Sequence, residues 1–106
     1  SGAARQAELQ QKIADMQEKM TEAQNAVEAQ EFSASVGGGV VEAKVNGKKE
    51  VISIHIKPEA VDPEDVEMLQ DLVVSAVNEA LRQAGEAMDK SMDGITGGLD
   101  LSKFGL

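Results

Sequence analysis

Residues 39–58 read GVVEAKVNGKKEVISIHIKP and predict a β-hairpin. Apolar and polar residues alternate on both sides of a central Asn46-Gly47, which is the dipeptide that tight hairpin turns favour because both residues tolerate left-handed backbone. The apolar positions are Val41, Ala43, Val45, Ile52, Ile54 and Ile56. Each strand should therefore have one apolar face and one polar face.

The length of the hairpin loop decides which faces coincide. A loop of two or four residues places Val41 and Ala43 on the face of the three isoleucines, whereas a three-residue loop without a bulge turns them away. We therefore expect an even loop, either Asn46-Gly47 or Asn46 to Lys49. Because two strands alone are marginally stable, a neighbouring segment must cover the isoleucine face.

The segment before the hairpin predicts a long helix from about Ala3 to Glu31, without proline or interior glycine. Its apolar residues recur at alternating intervals of four and three: Leu9, Ile13, Met16, Met20, Ala23 and Val27. Such a narrow stripe is typical of a seam against one other helix. The helix would be about 43 Å long, longer than a compact domain of this size is wide, so part of it should project as an arm or pair with another subunit.

The remaining elements complete an α+β pattern, in the order α-β-β-β-α with a small antiparallel sheet. Phe32 to Val36 alternates and predicts a first short strand, which Gly37 to Gly39 ends in a turn. After Pro58, Asp62 as N-cap and Pro63 at the first position predict a second helix. Its wide apolar stripe should lie across the isoleucine face. Gly85 is a weak point or early end, and the sequence from Ser91 reads as a loosely ordered tail.

Composition bounds the class of protein. The chain has 106 residues, which suits one domain, and it has no cysteine for disulfides or thiol chemistry. No apolar run approaches the length of a membrane span. The net charge is −9, and it is unevenly distributed: residues 1–31 carry −3, residues 32–61 carry +1, and residues 62–106 carry −7. The hairpin region alone is not acidic.

No pattern in the sequence indicates catalysis, a metal or a cofactor. His55 is the only histidine and lies on the polar face of a strand. The acids from Asp62 to Glu67 lack calcium-loop spacing and suit a helix start. The basic cluster of Lys44, Lys48, Lys49 and Lys57 has two readings, a solvated strand edge or a phosphate contact.

Several separated motifs together resemble the YbaB/EbfC family of bacterial nucleoid-associated proteins. They are MQEKM at 16–20, GGVVEAKVNG at 38–47, IHIKP at 54–58, EDVEMLQDLV at 64–73 and AVNEA at 76–80. The resemblance implies a single domain over residues 1–98, followed by a flexible tail at 99–106. It further implies a tweezer-like homodimer with projecting helices that binds double-stranded DNA in the cytoplasm, at the nucleoid, and acts in nucleoid organisation and gene regulation.

The resemblance also suggests where DNA would bind. Family DNA contacts are attributed to the projecting helices, and the matching cations here are Arg5, Lys12, Lys19, Arg82 and Lys90. Charge distribution, rather than resemblance, adds Lys44, Lys48 and Lys49 from the hairpin. The seam residues Leu9, Ile13, Met16 and Met20 are candidates for helix or dimer contacts. An alternative function is an acidic protein-interaction module that acts with DNA replication or recombination factors, and an exposed seam would favour it.

Overall fold

The computed structural model describes residues 1–97, which form two long helices and three short strands. In chain order these are α1 (Gly2–Glu28), β1 (Glu31–Val36), β2 (Val41–Asn46), β3 (Val51–Ile56), a 3-10 turn at Pro58–Ala60, and α2 (Val66–Thr96). The predicted α-β-β-β-α order is confirmed. The tail expected at 99–106 lies outside the described residues.

The strands form one antiparallel sheet in the order β1-β2-β3, with β2 in the centre. Alternate residues of β2 point into the core, and Val41, Ala43 and Val45 have no exposed surface. On β1 the pattern predicted from the sequence also holds, since Ala34 is buried and Phe32 and Val36 pack beside it. The core is therefore small and aliphatic, as the composition implies.

A row of alanines on α2 sets the distance between helix and sheet. Ala76, Ala80 and Ala84 recur every four residues, so they lie on one face of the helix, and all three are fully buried. Their small side chains let the helix backbone approach the sheet closely. The helix packs mainly against β2 and β1.

The hairpin loop differs from the predicted even loop. The Asn46 N–H donates to the Glu50 carbonyl, which leaves three residues, Gly47 to Lys49, inside the loop. The left-handed residue is Lys49, at φ 65°, and not Gly47. This geometry, a turn followed by one left-handed residue, is a common three-residue hairpin loop.

A bulge restores the predicted facing of the strands. Lys44 pairs with Ser53 but Val45 pairs with Val51, so the register shifts by one residue and Ile52 has no partner. Val41 and Ala43 then pair with Ile56 and Ile54, on a shared face. The odd loop and the bulge together have the effect that an even loop would have had.

The prediction that the isoleucine face is covered holds only at Ile56, which packs against the core, and is wrong for Ile52 and Ile54. Because α2 lies over β1 and β2, the third strand is left at an open edge of the sheet. Ile54 remains 41% exposed, and Val51 and Ile52 each remain 48% exposed. An apolar strand surface is thus uncovered in the single chain.

The second helix begins later and ends later than predicted. Its N-cap is Asp65, whose carboxylate accepts the Met68 N–H at 3.2 Å. Asp62 instead closes the preceding turn by accepting the Glu64 N–H. The helix continues through Gly85 as far as Thr96, so the expected loose tail is wrong over residues 91–96.

Beyond the sheet, α1 and the second half of α2 pack together as an arm. The Cα radius of gyration is 20.8 Å, compared with about 13 Å for a compact domain of 100 residues. The longest dimension is 77 Å. The predicted projecting helix is confirmed, and its partner along part of the seam is α2 of the same chain.

Candidate nucleic-acid interface

The cations of α1 form one straight row along the arm. Arg5, Lys12 and Lys19 are spaced seven residues apart, so they lie on one helix face at intervals of about 10.5 Å. All three residues are exposed. Lys12 is within 3.6 Å of Glu8, in an ion pair whose side chains are both well exposed. Among residues 1–97, Arg5 and Lys19 form no salt bridge.

A row of acids lies beside this row of cations. Glu8, Asp15 and Glu22 are also seven residues apart, and each is three or four residues from a member of the cationic row. Exposed ion pairs of this kind are weak and screened by salt, so Lys12 remains available to a stronger anion. The arm thus offers a narrow line of positive charge with a negative line at its side.

The cations of α2 are engaged within their own helix. Arg82 donates to Glu79 at 2.8 Å and to Glu86 at 2.7 Å, and Lys90 lies 2.7 Å from Glu86. Hydrogen bonds from Lys90 and Arg82 hold the pKa of the Glu86 carboxyl below its usual value. The hydrogen bond from Arg82 likewise lowers the pKa of Glu79. These four side chains are neutral as a group. The positive charges of Arg82 and Lys90, both predicted DNA contacts, are therefore balanced by the carboxylates of Glu79 and Glu86.

The hairpin lysines lie near the junction of the arm with the sheet and not along the arm. Lys44 lies 3.7 Å from Glu31, and the Lys49 ammonium lies over Gly85 of α2. Lys48 borders an open cavity of about 500 Å³. The other charged residues of that lining are the carboxylates Glu28, Glu31 and Glu50. Lys44 and Lys48 therefore have carboxylates as neighbours, whereas Lys49 lies against α2.

The seam residues of α1 differ in exposure along the helix. Val27, next to the sheet, is 4% exposed, and Met20 is half-buried. Met16, Ile13 and Leu9 are 47%, 51% and 54% exposed. The seam is thus covered near the sheet and open towards the end of the arm.

Other kinds of site find little support in the described part of the chain. Over residues 1–97 no group of three or more His, Asp or Glu side chains is placed to hold a metal ion. None of the described helices combines the length and the apolar character that a membrane crossing requires. His55 is exposed and faces Glu42 across the strand pair.

Comparison with known proteins identifies the family of this chain. The model of the YbaB/EbfC DNA-binding family matches residues 3–99. This chain belongs to that family. A nucleoid-associated protein of Alkaliphilus metalliredigens is 53% identical over 100 residues, covering 94% of this chain and 88% of the relative. A nucleoid-associated protein of Clostridium acetobutylicum is 55% identical over 85 residues, covering 80% and 76%.

A solved structure shares the fold of this YbaB/EbfC protein. It is the crystal structure of an uncharacterized protein from Helicobacter pylori, with a TM-score of 0.61. The identity is 22%, and the match covers 74% of this chain and 90% of the other. At that identity the likeness supports the architecture alone.

Two features of the surface were missed by sequence reasoning. The spacing of Glu79, Arg82, Glu86 and Lys90 by three and four residues was a sufficient signal for the ion pairs on α2. No sequence pattern predicted the open face of β3. The alternation within a strand shows that it has an apolar face, but not whether a helix covers that face.

Proposed function

We propose that this protein binds double-stranded DNA as a homodimer, without catalysis, and brings DNA segments together or coats them. The observation that carries the proposal is the row of Arg5, Lys12 and Lys19 on a projecting helix, in a chain of a DNA-binding family. The three charges extend over about 21 Å of the arm. A DNA duplex carries one phosphate charge per about 1.7 Å of its axis, so such a row can contact several phosphates at once.

The binding is mainly electrostatic in this proposal. Lysine and arginine neutralise phosphates and release condensed counterions, which is favourable at low salt and independent of base sequence. The described arm has no aromatic side chain to stack on bases, and its row is too narrow to fill a groove. Little base readout is expected, and the acidic row beside the cations keeps the affinity moderate.

The uncovered strand supports the homodimer. β3 is an edge strand with free backbone groups and an apolar face that includes Ile54, and exposed edges of this kind pair or pack with another chain. A second copy seated on this face would complete the cover that α2 gives only to β1 and β2. A dimer doubles the number of cationic rows from one to two.

The site of action we propose is the nucleoid in the cytoplasm, with a role in nucleoid organisation and gene regulation. The relatives named above are nucleoid-associated proteins. The second candidate function, a protein-interaction module acting with replication or recombination factors, is favoured by one observation, the exposure of Leu9, Ile13 and Met16.

Fluorescence anisotropy of a labelled random duplex, titrated at several salt concentrations, tests the DNA-binding proposal. Six phosphate contacts per dimer predict a slope of log affinity against log salt of about −5. The double reversal Lys12→Glu with Lys19→Glu should remove most of the binding while far-UV circular dichroism stays unchanged. Unchanged affinity of that variant would refute the model of binding by the arm.

Two further variants locate the contact. Lys57 is exposed at the end of β3, away from the row, so Lys57→Glu changes the charge as much as Lys19→Glu does. We expect Lys19→Glu to reduce the salt slope by about 2 for a dimer and Lys57→Glu to leave it unchanged. Reversal of Lys44, Lys48 and Lys49 tests the hairpin separately. Absence of binding by the unmodified protein, even at low salt, would make the protein-interaction module the leading function.

A further inference from the structure

The open end of the α1 seam is an apolar strip with no cover among the described residues. We call Leu9, Ile13 and Met16 the distal strip. About half of each of these residues is exposed. They lie on the same line as Met20 and Val27, which are progressively more covered towards the sheet. The strip is therefore the unoccupied continuation of a helix–helix interface that already exists within the chain.

The second helix stops beside this strip. Ile95, in the last turn of α2, borders an open groove of about 240 Å³ together with Lys12, Met16 and Lys19. Gly97 then caps the helix in the left-handed conformation, at φ 66°, and its N–H donates to the Asp93 carbonyl. The chain thus leaves α2 at the level of Met16, next to the part of the seam that α2 does not reach.

The sequence that follows has the composition of an apolar binding segment. Residues 98–106 read GLDLSKFGL, in which Leu99, Leu101, Phe104 and Leu106 are apolar and Asp100 and Lys103 cancel in charge. Nine residues can span up to about 30 Å. The strip from Met16 to Leu9 needs only about 10.5 Å of helix length. The segment is long enough to cover the whole strip.

We propose that residues 98–106 bind along the distal strip of α1 in their own subunit. A segment tethered at Gly97 is held near the strip at an effective concentration in the millimolar range, which a free partner seldom reaches. Burial of its leucines and phenylalanine against Leu9, Ile13 and Met16 is the driving force. This binding does not depend on DNA and is therefore separate from the proposed function.

Charge argues for this segment over a second copy of α1. Arg5, Lys12 and Lys19 flank the strip on one side. Two α1 helices packed antiparallel through their strips would place these two rows of cations against each other, which is repulsive. The side chains of the segment add no net charge, and Asp100 carries the sign that the flanking cations attract. Binding of this segment to the distal strip would therefore keep the ends of two arms from associating with one another.

The absence of cysteine allows a direct test by disulfide formation in the full chain. Ser102→Cys is combined either with Gln10→Cys, which borders the strip, or with Gln11→Cys, which lies on the opposite face of α1. The two pairs have nearly the same separation in sequence, and neither removes a strip residue. Each variant is exposed to oxidised glutathione at low protein concentration, and mass spectrometry separates disulfides within a chain from those between chains.

We expect the pair with Gln10→Cys to form its intrachain disulfide at least about 10-fold faster than the pair with Gln11→Cys. Adding Leu101→Ser and Phe104→Ser should reduce the two rates to the same value, because these changes remove the apolar contacts but keep the tether. Equal rates without those changes would overturn the proposal. A preference that survives the serine substitutions, or mainly interchain disulfides, would also overturn it, and the last result would assign the strip to a second copy.

Discussion

Gly47 of the hairpin loop lies directly against the Val27 carbonyl at the end of α1, and a Cβ at position 47 would overlap it. The Gly47 N–H also donates to the Gln30 carbonyl at 3.0 Å. Both helix end and loop are buried at this point, since Val27 and Gly47 are each inaccessible to solvent or nearly so. The arm is thus fixed to the sheet through a contact between two backbones, and the orientation of the cationic row depends on it.

The substitution Gly47→Ala should destabilise the fold by about 2 kcal/mol or more. The clash involves backbone atoms, which cannot move away as the end of a side chain can, so the loop or α1 must shift. Urea unfolding followed by circular dichroism measures the loss of free energy. A stability equal to that of the unmodified protein would show that the loop does not hold α1 in place.

Gly85 and Gly94 predict the opposite effect and serve as controls. Both lie inside α2; a Cβ at Gly94 meets no atom within 4 Å, and one at Gly85 meets only the end of the Lys49 side chain, at 3.8 Å. Gly85→Ala and Gly94→Ala should each stabilise the protein by about 0.5–1 kcal/mol, because alanine has less backbone freedom to lose in a helix. The same urea titration measures both. A loss of stability for Gly85→Ala would mean that the helix needs a break there.

Much of the fold could be predicted because its patterns are local. The alternation in residues 41–56 determines the hairpin and the facing of Val41 and Ala43, and seven-residue spacing determines the seam of α1. The start of α2 was predicted three residues too early, at Asp62. Asp62 and Asp65 both precede acidic residues, and Pro63 suits a helix start, but Asp62 forms a turn instead. The length of the hairpin loop was predicted wrongly because Lys49 has a positive φ, which lysine seldom adopts.

The parts that could not be predicted depend on tertiary packing. Both β1 and β3 offer an apolar face, and only the packing of α2 on β2 and β1 decides which of the two is covered. Similarly, the extent of the covered seam depends on where α2 stops. The sequence indicates which residues are cations. Whether a cation is available to phosphate depends on the carboxylates that lie beside it in the fold.

Removal of the Glu86 carboxylate should release one cation of α2, Lys90. Glu86 pairs with both Arg82 and Lys90, so Glu86→Gln frees Lys90 and leaves Arg82 with Glu79 alone. We expect DNA affinity at about 0.1 M salt to rise by about 2- to 5-fold, with a steeper salt slope, because Lys90 becomes able to contact phosphate in each subunit. Anisotropy of the labelled duplex measures the change.

Glu64→Gln is the matched control for that experiment. It removes the same unit of negative charge, but Glu64 lies before α2 and forms no salt bridge within residues 1–97. Its effect on affinity should stay below about 2-fold, since exposed charges farther apart than a Debye length are largely screened. Equal gains for the two variants would attribute the effect to net charge and not to the release of Lys90.

The open face of β3 predicts where the dimer can be separated. Ile54 pairs with the buried Ala43 on the apolar face and is 41% exposed, so Ile54→Lys would place a charge in the proposed interface. Burial of an unpaired ammonium costs several kcal/mol, and the dissociation constant of the dimer should rise at least about 100-fold. His55→Lys is the control, because this residue is exposed on the opposite face and would lie across from Glu42. Sedimentation velocity should find Ile54→Lys monomeric but folded and His55→Lys dimeric. If both variants stay dimeric, the subunits meet elsewhere, and the exposed strand has another partner.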